Sequence, residues 1–184
     1  ALYDLLPVGP VLGGAPLNAV FQAHQIGLHL GGKAVMVSRI GQDELGKSLF
    51  KKIKDHGMNH TFIQQDPNAD TGTVSITLNG TEPEYEITKN VAWDKLEWNE
   101  SLSDLANRCN AVCFGTLGQR AEPAKSTIQK FIQTATKANR LFDVNLRQNY
   151  FSKDTLDTCF QLSSIVKMNE EELPIVYKIL GLTN

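Results

Sequence analysis

Leu12-Gly13-Gly14-Ala15-Pro16-Leu17-Asn18-Ala19 sets two glycines, a proline and an asparagine at the mouth of a predicted helix. Glycines let the backbone come close to a ligand because they carry no Cβ. Proline suits the first helical turn, where its missing N–H costs nothing. The free N–H groups of that turn can donate to hydroxyls or to an anion. Asn18 adds a donor and an acceptor in the same turn. The stretch reads as part of a polar small-molecule site.

Working outward, helix and strand patterns alternate. Leu2–Leu6 reads as a strand. Leu17 to Ile26 reads as a helix stopped by Gly27. Lys33–Ile40 is a predicted strand, and Glu44–His56 a helix with Leu45, Leu49 and Ile53 as its apolar stripe. A short strand is expected at Thr61–Gln64. The middle changes character: Thr71–Leu78 and Glu84–Thr88 alternate apolar and polar residues on either side of the turn signal Asn79-Gly80, as a hairpin does. The βα pattern then returns. Strands are expected at Asn110–Phe114, Arg140–Val144 and Ile165–Met168, and helices after Pro123, over Asp154–Leu162 and over Glu170–Leu180.

This alternation implies an α/β fold with a mainly parallel sheet covered on both faces. Right-handed crossovers put ligands at the carboxyl ends of such strands. Polar clusters fall at those ends: Ile40-Gly41-Gln42-Asp43, Gly115-Thr116-Leu117, Asp143-Val144-Asn145-Leu146-Arg147 and Lys167-Met168-Asn169.

Composition narrows the function. The 184 residues carry a net charge of −2, which gives no reason to expect nucleic acid or an anionic membrane as partner. No segment approaches the apolar length a bilayer requires. Cys109, Cys113 and Cys159 have no metal-like spacing and read as reduced thiols, which fits a cytoplasmic location. The sequons at Asn59, Asn79 and Asn99 read as chance matches. None of the histidines has a partner constellation. No G-x-G-x-x-G follows the first strand, which argues against a nicotinamide enzyme.

Several motifs in the right order resemble the PfkB (ribokinase-like) family of carbohydrate kinases. Gly13-Gly14-Ala15-Pro16-Leu17-Asn18 looks like that family's glycine-rich signature. Ile40-Gly41-Gln42-Asp43-Glu44-Leu45-Gly46 is similar to its G-x-D-x-x-G element, with Gln42 in place of a commoner acidic residue. Asp143-Val144-Asn145-Leu146-Arg147 matches D-x-N-x-R, and Lys167-Met168-Asn169-Glu170-Glu171-Glu172 matches K-x-N-x-x-E. Tyr3-Asp4-Leu5-Leu6-Pro7 and Phe114-Gly115-Thr116-Leu117 look closest to the fructokinase branch.

The resemblance implies a ribokinase-like α/β fold, a mainly parallel central sheet flanked by helices, with a small β-sheet lid. Residues 1–184 would be the N-terminal part of one such domain, with the lid formed by about 7–12 and 71–88. It implies an ATP-dependent, cytoplasmic kinase that passes the γ-phosphoryl group to a hydroxyl of fructose or a related sugar. The alternatives are 2-keto-3-deoxygluconate, ribose or a nucleoside as acceptor, or a non-catalytic sugar-binding or regulatory protein. Implied partners are the sugar and ATP, with Mg²⁺ as cofactor and a homodimer formed through the lid.

Matching positions carry the family's roles. Asp4, Gly13, Gly14 and Asn18 are expected at the sugar, with Asp43 ordering the same pocket. Arg147 is expected at sugar or phosphate, since a guanidinium offers a fixed fork to either. Asn145, Lys167 and Asn169 are expected at the phosphates, and Glu172 at Mg²⁺ through water. The family's base is an aspartate in a glycine-rich G-A-G-D motif, which this sequence does not contain. No catalytic residue is therefore assigned here; the activity is expected of a parent protein, with the chain alone inactive.

Overall fold

The computed structural model describes residues 1–79 and 82–182 and divides the chain into two compact units, Ala1–Leu96 and Glu97–Asn184. Gly80 of the expected Asn79-Gly80 turn lies outside the described residues.

The first unit opens with β1 (Leu2–Leu6) and β2 (Gly9–Gly13), an antiparallel pair whose register sets Asp4 opposite Val11 and Leu2 opposite Gly13. Helix α1 (Ala15–Leu30) follows. It runs past Gly27, where the sequence predicts a stop. Gly31 ends it in the left-handed region at φ 71°, and its N–H and that of Gly32 both turn back to the Gly27 carbonyl. Gly27 is the acceptor of the terminating motif, one turn upstream of the break.

Strand β3 (Ser38–Gly41) is shorter than expected; only an isolated bridge from Val35 to Asn59 extends its pairing. It pairs in parallel with β4 (Ile63–Asp66), and α2 (Glu44–Asp55) connects the two. Strands β5 (Thr73–Asn79) and β6 (Glu82–Ile87) form the expected antiparallel hairpin pair. β5 also pairs in parallel with β1, so the first strand of the chain joins the hairpin in a four-stranded sheet of order β2-β1-β5-β6. Of the expected inward face, Val74 is buried; the side chains of Ile76 and Leu78 are outside what the structure describes. Tyr3, Leu17, Met36, Ile40, Leu49, Ile53, Met58 and Ile63 form this unit's core.

The second unit is a run of βα elements. The parallel sheet β7-β8-β9 comprises Ala111–Gly115, Asn139–Asp143 and Ile165–Lys167. Helices α4 (Ala124–Thr134), α5 (Lys153–Leu162) and α6 (Glu172–Leu180) fall close to their predicted spans. Phe114, Ile132, Phe142, Val144, Leu156, Cys159 and Val176 make its core, with Phe142 stacked on Phe114 and edge-on to Phe160.

Helix α3 (Glu100–Arg108) has no counterpart among the predicted elements. Its start is Asn99, whose side-chain oxygen accepts from Leu102 N–H at 2.9 Å. This sequon asparagine is a helix cap. The sequon at Asn59 likewise turns its oxygen onto Thr61 N–H at 2.8 Å. Among the described residues, no helix is long and apolar enough to cross a membrane.

Candidate functional site

The predicted site residues form two groups in the first unit and one in the second. The first group lies where β2 runs into α1. Asp4 is half-buried on β1, and a Cβ on Gly13 would overlap its carboxylate. Gly13 is therefore the residue type that lets this carboxylate lie against the neighbouring strand. Gly14 caps α1 at φ 102°, a conformation closed to other side chains, and a Cβ there would also touch Leu2. Pro16 follows in the first turn, with no acidic residue beside it. Asn18 N–H donates back to the Gly14 carbonyl at 3.0 Å, and the residue is exposed on the first turn. Asp4 and Asn18 thus bracket a glycine-lined strand-to-helix junction that offers one carboxylate, one carboxamide and the open N–H groups of a helix start.

Asp43 belongs to a different cluster. It caps α2, with Oδ1 accepting Gly46 N–H and Thr71 Oγ–H, each at 2.7 Å, while Oδ2 accepts Thr71 N–H at 2.7 Å. Thr71 Oγ in turn accepts from Gly41 N–H at 3.0 Å. Burial pushes the Asp43 carboxyl up, but the Thr71 hydroxyl and the Gly46 and Thr71 N–H groups outweigh it and hold the group below the usual carboxylate range. Three donors on one carboxylate make Asp43 the staple between the start of α2 and the segment leading into β5. Thr71 was assigned no role from sequence; a threonine ahead of a glycine at a strand start is too common a signal to single out.

Beside this staple a cavity of about 550 Å³ opens, lined by Asp43, Glu44, Asp70, Thr73, Thr88 and Lys89 among others. Neither Asp4 nor Asn18 lines it.

The third group sits at the carboxyl ends of β8 and β9. Asp143 Oδ1 meets Lys167 Nζ at 3.0 Å across the parallel pair. That hydrogen bond, with the charge of the same carboxylate, raises the Lys167 ammonium pKa above its ordinary value. Asn145 and Gln148 have left-handed backbones, φ 40° and 48°. Arg147 is exposed, one nitrogen donating to the Leu146 carbonyl at 2.9 Å. Asn169 and Glu172 exchange hydrogen bonds: Asn169 Oδ1 accepts Glu172 N–H at 2.7 Å and Glu172 Oε2 accepts Asn169 N–H at 3.0 Å. This is a capping box at the start of α6. Glu172, only 6% exposed, also accepts Leu146 N–H on Oε1 at 2.8 Å. Among the described residues no three His, Cys, Asp or Glu side chains converge as a metal cage. A carboxylate has about four lone-pair sites, so the two N–H donors leave Glu172 capacity for water.

The family model for pfkB family carbohydrate kinases matches residues 8–183. The putative sugar kinase PH1459 of Pyrococcus horikoshii is 27% identical over 168 residues, which is 88% of this chain and 53% of that protein. The probable chloroplastic fructokinase-6 of Arabidopsis thaliana is 28% identical over 176 residues, 90% of this chain and 44% of that protein. This chain thus spans about half the length of the curated relatives it matches. Among solved structures, PH1459 in complex with ATP superposes with a TM-score of 0.83 at 25% identity, covering 98% of this chain and 64% of that one. The apo fructokinase of Vibrio cholerae O395 gives 0.80 at 24% identity, over 95% and 63%, and supports the fold alone.

Proposed function

The chain belongs to the pfkB family of carbohydrate kinases, with a ribokinase-like α/β fold, and from that premise we propose that the protein containing it transfers the γ-phosphoryl group of ATP to a hydroxyl of fructose or a related sugar. The observation that carries the sugar half is the junction at Asp4, Gly13, Gly14 and Asn18. A carboxylate that accepts two hydroxyl protons reads a vicinal diol, and an analogue without one leaves it unpaired. The relatives named fructokinase direct the choice of sugar. In this reading residues 1–184 are the N-terminal part of one domain, and the sheet β2-β1-β5-β6 is its lid, supplied by about 7–12 and 71–88 together with β1. A closed lid excludes water and so suppresses hydrolysis of ATP. The lid is also the surface we assign to a homodimer. We place the enzyme in the cytoplasm.

Asp4 and Asn18 orient the sugar, and Gly13 and Gly14 keep the approach open. Asp43 acts through Thr71, ordering the segment that leads into the lid strand β5. Asn145, Lys167 and Asn169 face the nucleotide phosphates. Arg147 places its fork at phosphate or sugar. Mg²⁺ fits this set only as an ion held chiefly by nucleotide oxygens and waters, with the remaining lone pairs of Glu172 as its carboxylate contact through water. When bound it neutralises charge on the transferring phosphoryl group. The proton of the acceptor hydroxyl goes, in the family pattern, to the aspartate of G-A-G-D, and no residue of this chain is given that role.

The test is a coupled ADP-release assay of the full-length protein against fructose, ribose, 2-keto-3-deoxygluconate and a nucleoside. We expect the highest kcat/KM on fructose. Preference for another acceptor moves the substrate assignment, and activity on none overturns the enzyme reading.

A further inference from the structure

The segment after β8 holds Asn145 in the left-handed region at φ 40°, and Gln148 at 48° closes the same short loop. Asparagine enters that region more readily than most side chains, but at a cost in strain that surrounding contacts can offset. The peptide plane before Asn145 carries the Val144 carbonyl, and the plane after it carries the Leu146 N–H. Each is tied to a side chain from a different element. Thr116, which follows β7 and is 1% exposed, donates its hydroxyl to the Val144 carbonyl at 3.0 Å and lies 3.5 Å from the Asn145 carbonyl. Glu172, in the first turn of α6, accepts Leu146 N–H at 2.8 Å. φ and ψ of a residue are the rotations of its two flanking peptide planes about Cα. Fixing both planes fixes the residue.

We infer that Thr116 and Glu172 are positioning residues that lock the two peptide planes around Asn145 and so present Asn145 to the nucleotide phosphates. The destination rests on the kinase reading above; the lock itself does not. Val144 N–H also donates to the Lys167 carbonyl at 2.9 Å, so the entry to the loop is already held by the sheet. The two side chains take over where the sheet stops. Thr116 is the informative member of the pair. Its hydroxyl is committed to main-chain carbonyls, whereas Glu172 has lone pairs left over that a metal-bound water can use.

The test uses the full-length protein and the variants Thr116→Val, Thr116→Ser and Glu172→Gln, with two readouts. Valine keeps the shape of threonine and removes the donor; serine restores it. Glutamine offers one carbonyl where two N–H groups need acceptors. Amide exchange across residues 144–148 should quicken by about tenfold or more in Thr116→Val and Glu172→Gln, and return in Thr116→Ser. The KM for ATP should rise by about tenfold in the same two variants, with the sugar KM within about twofold of wild type. Unchanged exchange in Thr116→Val overturns the lock. Faster exchange with an unchanged ATP KM overturns the positioning role and leaves two residues that only support the fold. A wild-type protein that phosphorylates none of the panel fails the kinase reading, while exchange still decides the lock.

Discussion

At the scale of single residues, three positions in the first unit are constrained by space or charge. Gly14 at φ 102° cannot accept a side chain without strain of about 1–3 kcal/mol. Gly14→Ala should lower stability by that order and, on the proposed function, raise the sugar KM, read by urea unfolding and by kinetics of the full-length protein. At Gly13 the constraint is contact: a methyl group there displaces the Asp4 carboxylate. Asp43 is constrained by charge. Its pKa is depressed in the folded state, so it contributes stability that is present above the unfolded value, about 3.9, and is lost as pH falls through the folded value. Asp43→Asn should therefore be less stable than wild type at pH 7, with the gap narrowing below about pH 4. Urea midpoints measured from pH 7 to pH 3 check this; a gap that widens in acid would contradict it.

At the scale of elements, polar side chains set the starts of α2, α3, α5 and α6, whereas α1 begins at Gly14 and α4 at Pro123 without a side-chain cap. Asp43 caps α2, Asn99 caps α3, Ser152 caps α5, and the Asn169–Glu172 pair caps α6. Replacing Asn99 by Ala should cost about 1 kcal/mol, seen in the unfolding midpoint, with kinetic constants unchanged because α3 carries no assigned site residue. Such caps also mark the limit of legibility. Leu102, Leu105 and Ala106 give α3 its buried stripe, but with nine residues it is too short for that pattern to stand out. The reverse holds for Gly27: a glycine in a helical pattern reads as an end, yet this one lies inside the helix and accepts the terminating hydrogen bonds. Local sequence names the residues of a stop motif but not their order within it.

At the scale of the whole chain, each unit has its own core and its own cluster of assigned residues: Asp4 and Asn18 in the first, Asn145, Arg147, Lys167 and Asn169 in the second. The proposed function divides accordingly. In the full-length protein, Asp4→Ala should raise the sugar KM by about a hundredfold, with little change in the ATP KM and the fold intact by circular dichroism. Asn169→Ala should do the opposite, raising the ATP KM. Equal effects on both substrates would remove this division of labour.

The sequence by itself determined the βα alternation, the hairpin pair, most element positions and the family, because periodicity of apolar residues and the glycine-rich and acidic motifs are local properties of the chain. It also named the residues at the strand ends. Only the tertiary structure decided what several of them touch. β1 joins β5 through pairing across about seventy residues, which no local pattern encodes. Asp43 meets Thr71, and Glu172 meets Leu146, across separations of 28 and 26 residues. A carboxylate's partners are set by which backbone N–H groups the fold leaves unpaired beside it, and that is known only once distant segments have been brought together.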